Sequence, residues 1–464
     1  MIKNLSFDTA DLQDKDRRIL HPWEGLEEIG REQRTVIVKG EGIYVYDSEG
    51  KRYIDAPGGM WCVNIGHGRR EIADAMADQA SELAYYGIWN LANAPSAMLA
   101  AKLAELSPGD LNHVFFTTGG STANESALRF VMFYNNLRGR PGKKHIIALE
   151  NAYHGSTHLT SSCSGKDVAT SPFDLETRFI HFLGSPNPSK RPSGMSVEAF
   201  CDARIGEFEE KIREIGPERV AAFIAEPVMG AGGVIVPPKG FQRRTHEICR
   251  KYDVLYIADE VVTAFGRLGH FFASEEVFGV VPDIISVAKG ITSAYVPLGA
   301  MLVSDRLLEG FIGENAEATG FYHGFTYSGH PVACAAALKN IELMEQEGIL
   351  EHVREVGPYF QQRLRELEAL PIVADVRGTG LMACLECSIG TGEEETVEID
   401  AKIGKLIDRH CQDLGLIVRP LFNMCVMSPP LIITKAQIDD LVSMLRRGVE
   451  RTMEDLRTEG ILNA

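Results

Sequence analysis

Several things are scarce in this sequence, and each shortage closes off a class of protein. No apolar run approaches the roughly 18 residues that a membrane-spanning helix needs. The opening stretch, MIKNLSFDTADLQDKDRR, has no apolar core of the signal-peptide kind, which predicts a cytoplasmic location. Positive charge is outnumbered. Lys and Arg total 47 against 64 Asp and Glu, and the net charge of −17 argues against a nucleic-acid or anionic-membrane partner. The nine cysteines are an odd, scattered set, as expected of reduced thiols and not of a disulfide framework. Cys384 and Cys387 form a single C-x-x-C with no second pair and no nearby His cluster. In the strand-like segment around them they would point to opposite faces, so no zinc site is expected there. His154 and His158 lack an H-E-x-x-H setting, so no metal site is expected at all. No P-loop motif and no internal repeat occurs.

What is present predicts a large α/β protein. At 464 residues the chain exceeds one compact core and predicts two domains, or one large domain with smaller caps. Apolar strand-like runs alternate with helical periodicity throughout, which predicts a mostly parallel sheet. Helices are expected at Asp11–Leu20, Arg70–Glu82, Ala97–Glu105, Val332–Glu347, Leu350–Leu370 and Ile399–Leu414. Two capping-box pairs mark helix starts, Thr122 with Glu125 and Thr434 with Gln437. Gly42–Asp55 reads as a β-hairpin about D-S-E-G.

The chain is organised around Val254–Gly290. Two short apolar runs there, Val254–Ala258 and Ile284–Ala288, read as strands buried on both faces. The first ends in Asp259 and the second in Lys289-Gly290. The C-terminal edge of such a sheet is where ligands sit. A desolvated Lys loses its proton easily and condenses with aldehydes. A carboxylate facing a pyridine nitrogen keeps that nitrogen protonated, and the pairing suits pyridoxal phosphate (PLP). Taken alone, an Asp after a strand is more often a cap and a Lys a solvated side chain. Val114–Thr118 runs into G-G-S-T-A-N-E, where Gly119, Gly120 and Ser121 at a helix start make an anion site.

The run D-E-V-V-T-A-F-G-R, with A-K-G thirty residues after Asp259, resembles the class III (subgroup II) PLP-dependent aminotransferases, within them the ω-amine:pyruvate members. The resemblance extends from about Gly42 to the last helix. It implies fold type I: a large domain with a mostly parallel sheet, plus a smaller α+β domain. Residues 1–65 would be an arm and hairpin belonging partly to the small domain, 66–330 the PLP-binding domain, and 331–464 the C-terminal small domain. It further implies ping-pong transamination, with Lys289 carrying PLP and acting as base and Asp259 on the ring nitrogen.

Other roles follow from the same resemblance. Gly120 and Ser121 would hold the phosphate, and Thr122, where the family often has an acid, leaves that role to the backbone. Tyr153 and Val261 would flank the ring, Glu226 would sit near it, and His154 would support the cofactor site structurally. Thr326 would reach the phosphate of a second subunit, implying a homodimer, with a tetramer left open. Trp61, Tyr86 and Tyr153 would line the substrate pocket. Arg419, in G-L-I-V-R-P, would pair with the carboxylate of a keto acid such as pyruvate. Donors would be terminal amines or ω-amino acids. Rivals are a 2-oxoglutarate-dependent ornithine, acetylornithine or 4-aminobutyrate type, and a non-catalytic PLP-fold binding protein.

Overall fold

A computed structural model of the chain describes residues 7–31, 33–165, 172–312, 319–390 and 394–462, the side chains of 394–396 excepted. The first six residues of the expected N-terminal arm lie outside this set. The first helix is Thr9–Asp16, beginning two residues before the expected one and ending four before it. Asp8 sets that start, its carboxylate accepting from the N–H groups of Ala10 and Asp11.

A small sheet opens the fold, formed by β1 (Ile37–Glu41), β2 (Tyr44–Asp47) and β3 (Arg52–Asp55). The β2–β3 pair is the expected hairpin, its turn closed by Asp47 accepting from Glu49 and Lys51 N–H. The central sheet follows. Its strands are β4 (His113–Thr117), β5 (His145–Leu149), β6 (Ile180–Leu183), β7 (Val220–Ala225), β8 (Leu255–Asp259), β9 (Ile284–Val287) and β10 (Gly299–Val303). They lie in the order β4-β10-β9-β8-β7-β5-β6, and only β10 runs against its neighbours.

Strands β7, β8 and β9 are buried along their whole length. Their residues alternate between two apolar cores, Phe223, Tyr256 and Ile285 on one face, Ile224, Ile257 and Ile284 on the other. Burial on both faces is why these runs are continuously apolar. Helix Gly120–Leu137 covers the second face with Ala127, Leu128, Val131 and Tyr134.

Beyond helices Pro331–Gln346 and Ile349–Arg365, strands β11 (Val373–Thr379) and β12 (Met382–Cys387) begin a second small sheet. After helix Glu394–Leu414 come β13 (Leu416–Ile417), β14 (Arg419–Leu421) and β15 (Met424–Met427). The order β11-β12-β15-β14 is antiparallel throughout, while β13 pairs in parallel with β3 and so joins the N-terminal hairpin to the C-terminal region. Cys384 and Cys387 face different cores. The capping box of Thr434 and Gln437 opens the last helix, Lys435–Thr458. One consequence governs the rest: strands β5, β7, β8 and β9 all end at one edge of the sheet, where antiparallel β10 begins.

Candidate active site

Asp259 closes β8 and is buried. Its Oδ2 accepts from Asn124 Nδ2 at 2.7 Å and lies 2.8 Å from His154 Nδ1. A carboxylate only accepts, so the His154 proton sits on Nδ1. Oδ1 accepts from the Val261 N–H at 3.1 Å. Two polar atoms beside this cluster, His154 Nε2 and Asn124 Oδ1, are buried without a partner.

Glu226 follows β7. Its two oxygens accept from the N–H groups of Tyr153 (3.0 Å) and Gly230 (2.8 Å), tying the loops after β5 and β7 together. Burial pushes its carboxyl up to about 7, with Asp259 adding to the rise and His154 opposing it. Lys289, after β9, has φ +48, a left-handed conformation that strains any residue with a Cβ. Burial lowers its ammonium pKa; Asp259, Glu226 and Cys62 pull it back, and Arg419 pushes it further down. Burial thereby makes this amine easier to deprotonate than a solvated lysine.

The structure corrects one expectation here. Thr122 does not cap a helix with Glu125. The helix begins at Gly120, its N-cap is Gly119, and no described side chain caps the N–H groups of its first turn. Glu125 instead reaches the next helix, His158–Ser162, accepting from Thr157 Oγ1 (2.6 Å) and from Leu159 and Thr160 N–H (3.1 and 3.4 Å). The long helix thus keeps an uncapped positive end for an anion. Gly120 is required by close packing, because a Cβ there would lie 2.8 Å from Val261 Cγ1. Ser121 Oγ accepts from Ser156 N–H at 3.1 Å.

These groups line one cavity of about 610 Å³, which brings together Trp61, Gly120, Ser121, Tyr153, His154, Glu226, Asp259, Val261, Lys289 and Arg419. Tyr86 and Thr326 lie outside it on exposed surface, where the Tyr85 hydroxyl donates to the Thr326 carbonyl. The lining residues without a sequence-level assignment include Asn124, Met60, Trp23 and Phe422. Asn124 could have been found, since it lies in the G-S-T-A-N-E run one helical turn past Gly120. Trp23 had no such signal. It sits on the polar N-terminal arm at φ +67, its ring edge-on to Tyr153 with centroids 5.9 Å apart.

The donor set fits PLP. An uncapped helix end with Gly120 and Ser121 suits a phosphate, and the buried Asp259 suits a pyridinium. The lowered Lys289 suits an aldehyde, and two orphaned polar atoms beside the carboxylate await a partner.

Comparison with known proteins agrees. Residues 29–449 match the aminotransferase class-III family. The chain is 41% identical over 435 residues to a putrescine–pyruvate aminotransferase of Pseudomonas aeruginosa, covering 93% of this chain and 94% of that protein. It is 40% identical over 422 residues to a mitochondrial gamma-aminobutyrate transaminase of Oryza sativa subsp. indica, covering 90% and 82%. The crystal structure of a thermostable (S)-enantioselective omega-transaminase from Thermomicrobium roseum superposes with a TM-score of 0.92 at 40% identity, covering 96% of this chain and 99% of that one. This chain belongs to the class III aminotransferases, and its cofactor is PLP.

Proposed function

We propose that this aminotransferase takes an amino group from a terminal amine or ω-amino acid and delivers it to pyruvate. One observation carries the reading. Arg419 reaches the cavity half-buried, and none of the described residues gives it an ion pair or a hydrogen bond. Burial lowers its pKa, so its charge is poorly compensated in the free protein. A ligand carboxylate would restore that balance through a two-pronged contact. Besides His154, which is engaged with Asp259, the cavity holds two basic side chains, Lys289 and Arg419. With Lys289 committed to the cofactor, one carboxylate can be paired and a second cannot, which favours pyruvate over 2-oxoglutarate. The apolar part of the lining includes Met60, Trp61, Leu421 and Phe422.

When bound, PLP supplies an aldehyde that receives the amine and a ring that draws off charge from the substrate carbon. Lys289 Nζ, its pKa lowered by burial, takes the proton from that carbon and returns it. Asp259, fixed by Asn124 and His154, presents a carboxylate that holds a proton on the ring nitrogen. Glu226 sets the Tyr153 backbone, so the ring of Tyr153 and the branched side chain of Val261 wall off water. Gly120, Ser121 and the helix end bind the phosphate.

Thr326 and Tyr86, outside their own chain's cavity, serve the cavity of a second copy in this reading, which makes the working unit a homodimer. A cytoplasmic location accords with the acidic composition, and no described helix is long and apolar enough to cross a membrane.

The test is an absorbance spectrum of PLP-loaded protein, before and after a diamine and then a keto acid. The cofactor band should bleach with amine and return with pyruvate. Recovery with 2-oxoglutarate alone would move the acceptor to the rival type, and an inert band would end the proposal.

A further inference from the structure

The signature that begins at Asp259 runs on to Arg267, and the chemistry above leaves that arginine without a task. Arg267 heads the largest fully buried side chains of the protein. No carboxylate pairs with it among the described residues. Its Nη1 donates to the carbonyls of Leu381 (3.0 Å) and Pro429 (2.5 Å), and Nη2 to Asn64 Oδ1 (2.9 Å), while Nε has no partner. Burial lowers its pKa to about 9, Cys62 and Asp55 acting against the shift. A buried cation without a counter-ion is costly, and a well-packed apolar side chain would fill the space more cheaply. Something other than stability keeps it there.

Its partners indicate what. Asn64 donates through Nδ2 to the Phe265 carbonyl at 2.6 Å, and its own carbonyl accepts from Leu431 N–H at 2.7 Å. The same amide presses on Gly290, where an added Cβ would fall 2.3 Å from Asn64 Nδ2. From another side Asn340 Nδ2 donates to the carbonyls of Gly290 (2.9 Å) and Ile291 (3.0 Å), and Ile65 N–H donates to Ser293 Oγ (3.0 Å). The backbone gripped this way begins at Gly290, directly after Lys289 with its strained φ of +48, and includes Ser293, also at φ +48. Strained backbone persists only where its surroundings over-determine it.

We propose that Arg267 is a positioning residue for Lys289, acting through Asn64 to hold the left-handed Lys289 and the Gly290 that follows it in register with the segments at Leu381 and Pro429. Three acceptors spread around one planar fork explain an arginine where a lysine would reach only part of the set. The inference rests on Lys289 being the amine that carries the cofactor. Backbone exchange reads the grip itself, so its failure is distinguishable from failure of that assignment.

The experiment measures hydrogen exchange over 288–295, melting temperature and steady-state kinetics on PLP-loaded wild type, Asn64→Ala, Arg267→Lys and Arg267→Met. Asn64→Ala leaves the charge in place and cuts the link, together with the Asn64 bond to the Phe265 carbonyl. Exchange over 288–295 should rise about tenfold in both Asn64→Ala and Arg267→Lys, while the melting temperature stays near wild type. Per cofactor-loaded subunit kcat should fall about tenfold or more, with the amine KM nearly constant, because misplacement of a reacting group costs rate before binding. Arg267→Met should behave likewise even where it melts no lower than wild type. Wild-type exchange and kcat in Asn64→Ala and Arg267→Lys would overturn the proposal. So would losses in all three variants that track melting temperature alone, with exchange rising evenly over the chain.

Discussion

Arg419 shows how much one side chain can decide. Asp259 sits among hydrogen-bond partners that fix it, whereas the Arg419 guanidinium lines the cavity without one among the described residues. Replacing it by Met should therefore leave amine handling intact and weaken the acceptor. The hydrogen bonds it would give a carboxylate are worth about 1.5–3 kcal/mol, so the pyruvate KM should rise roughly 10- to 100-fold. Rapid-mixing spectra with a diamine should show the amine-driven bleaching within about threefold of wild type, since a diamine places no carboxylate on Arg419. An equal slowing of both halves would remove Arg419 from the acceptor role. At this scale Asp259 and Lys289 were legible because each stands at the end of an apolar run, a pattern visible without coordinates. Trp23 was not legible. It enters the cavity from a polar arm whose path depends on contacts such as Arg34 with Glu24, and no periodicity encodes those.

Among the elements, the two capping-box pairs contrast. Thr434 and Gln437 do what their spacing predicts, each side chain satisfying the other's backbone. Thr122 and Glu125 have the same spacing, yet the helix starts earlier and Glu125 caps the neighbour at His158–Ser162. Spacing was an incomplete guide here because the first turn of helix Gly120–Leu137 stays open toward the cavity, and a local cap there would compete with an anion. The turn Glu125 braces runs directly on from Tyr153 and His154. Glu125→Ala should thus lower PLP affinity about tenfold, the loss of one charge-assisted contact network. Thr434→Ala should cost about 1 kcal/mol of stability, the usual worth of an N-cap, and leave PLP affinity unchanged. Equilibrium titration with PLP beside thermal melts would check both. Equal PLP affinity in the two variants would sever Glu125 from the site.

For the whole molecule, the mostly parallel character of the sheet and the strand-end positions of Glu226, Asp259 and Lys289 were legible from alternating runs and their terminal residues, while β6 and the strand order were not. The pairing of β13 with β3 was not, because a two-residue strand far along the chain leaves no pattern of its own. Long-range assembly is equally silent in the sequence, and surface exposure speaks for it. Tyr86, Trp89, Tyr322 and Tyr327 stand out into solvent, Tyr322 at 95% and Trp89 at 68% exposure, around the loop that carries Thr326. Exposed apolar clusters of this kind mark contact surfaces, and a second copy would both cover them and receive Thr326 at its phosphate site. Trp89→Glu should then give a monomer in sedimentation equilibrium with weakened PLP binding. Thr326→Ala should remain a dimer and lose about tenfold in PLP affinity, the worth of one hydrogen bond to a charged phosphate. A Trp89→Glu protein that stays dimeric would place the interface elsewhere, and a Thr326→Ala dimer with wild-type affinity would mean that each phosphate site is complete within its own chain.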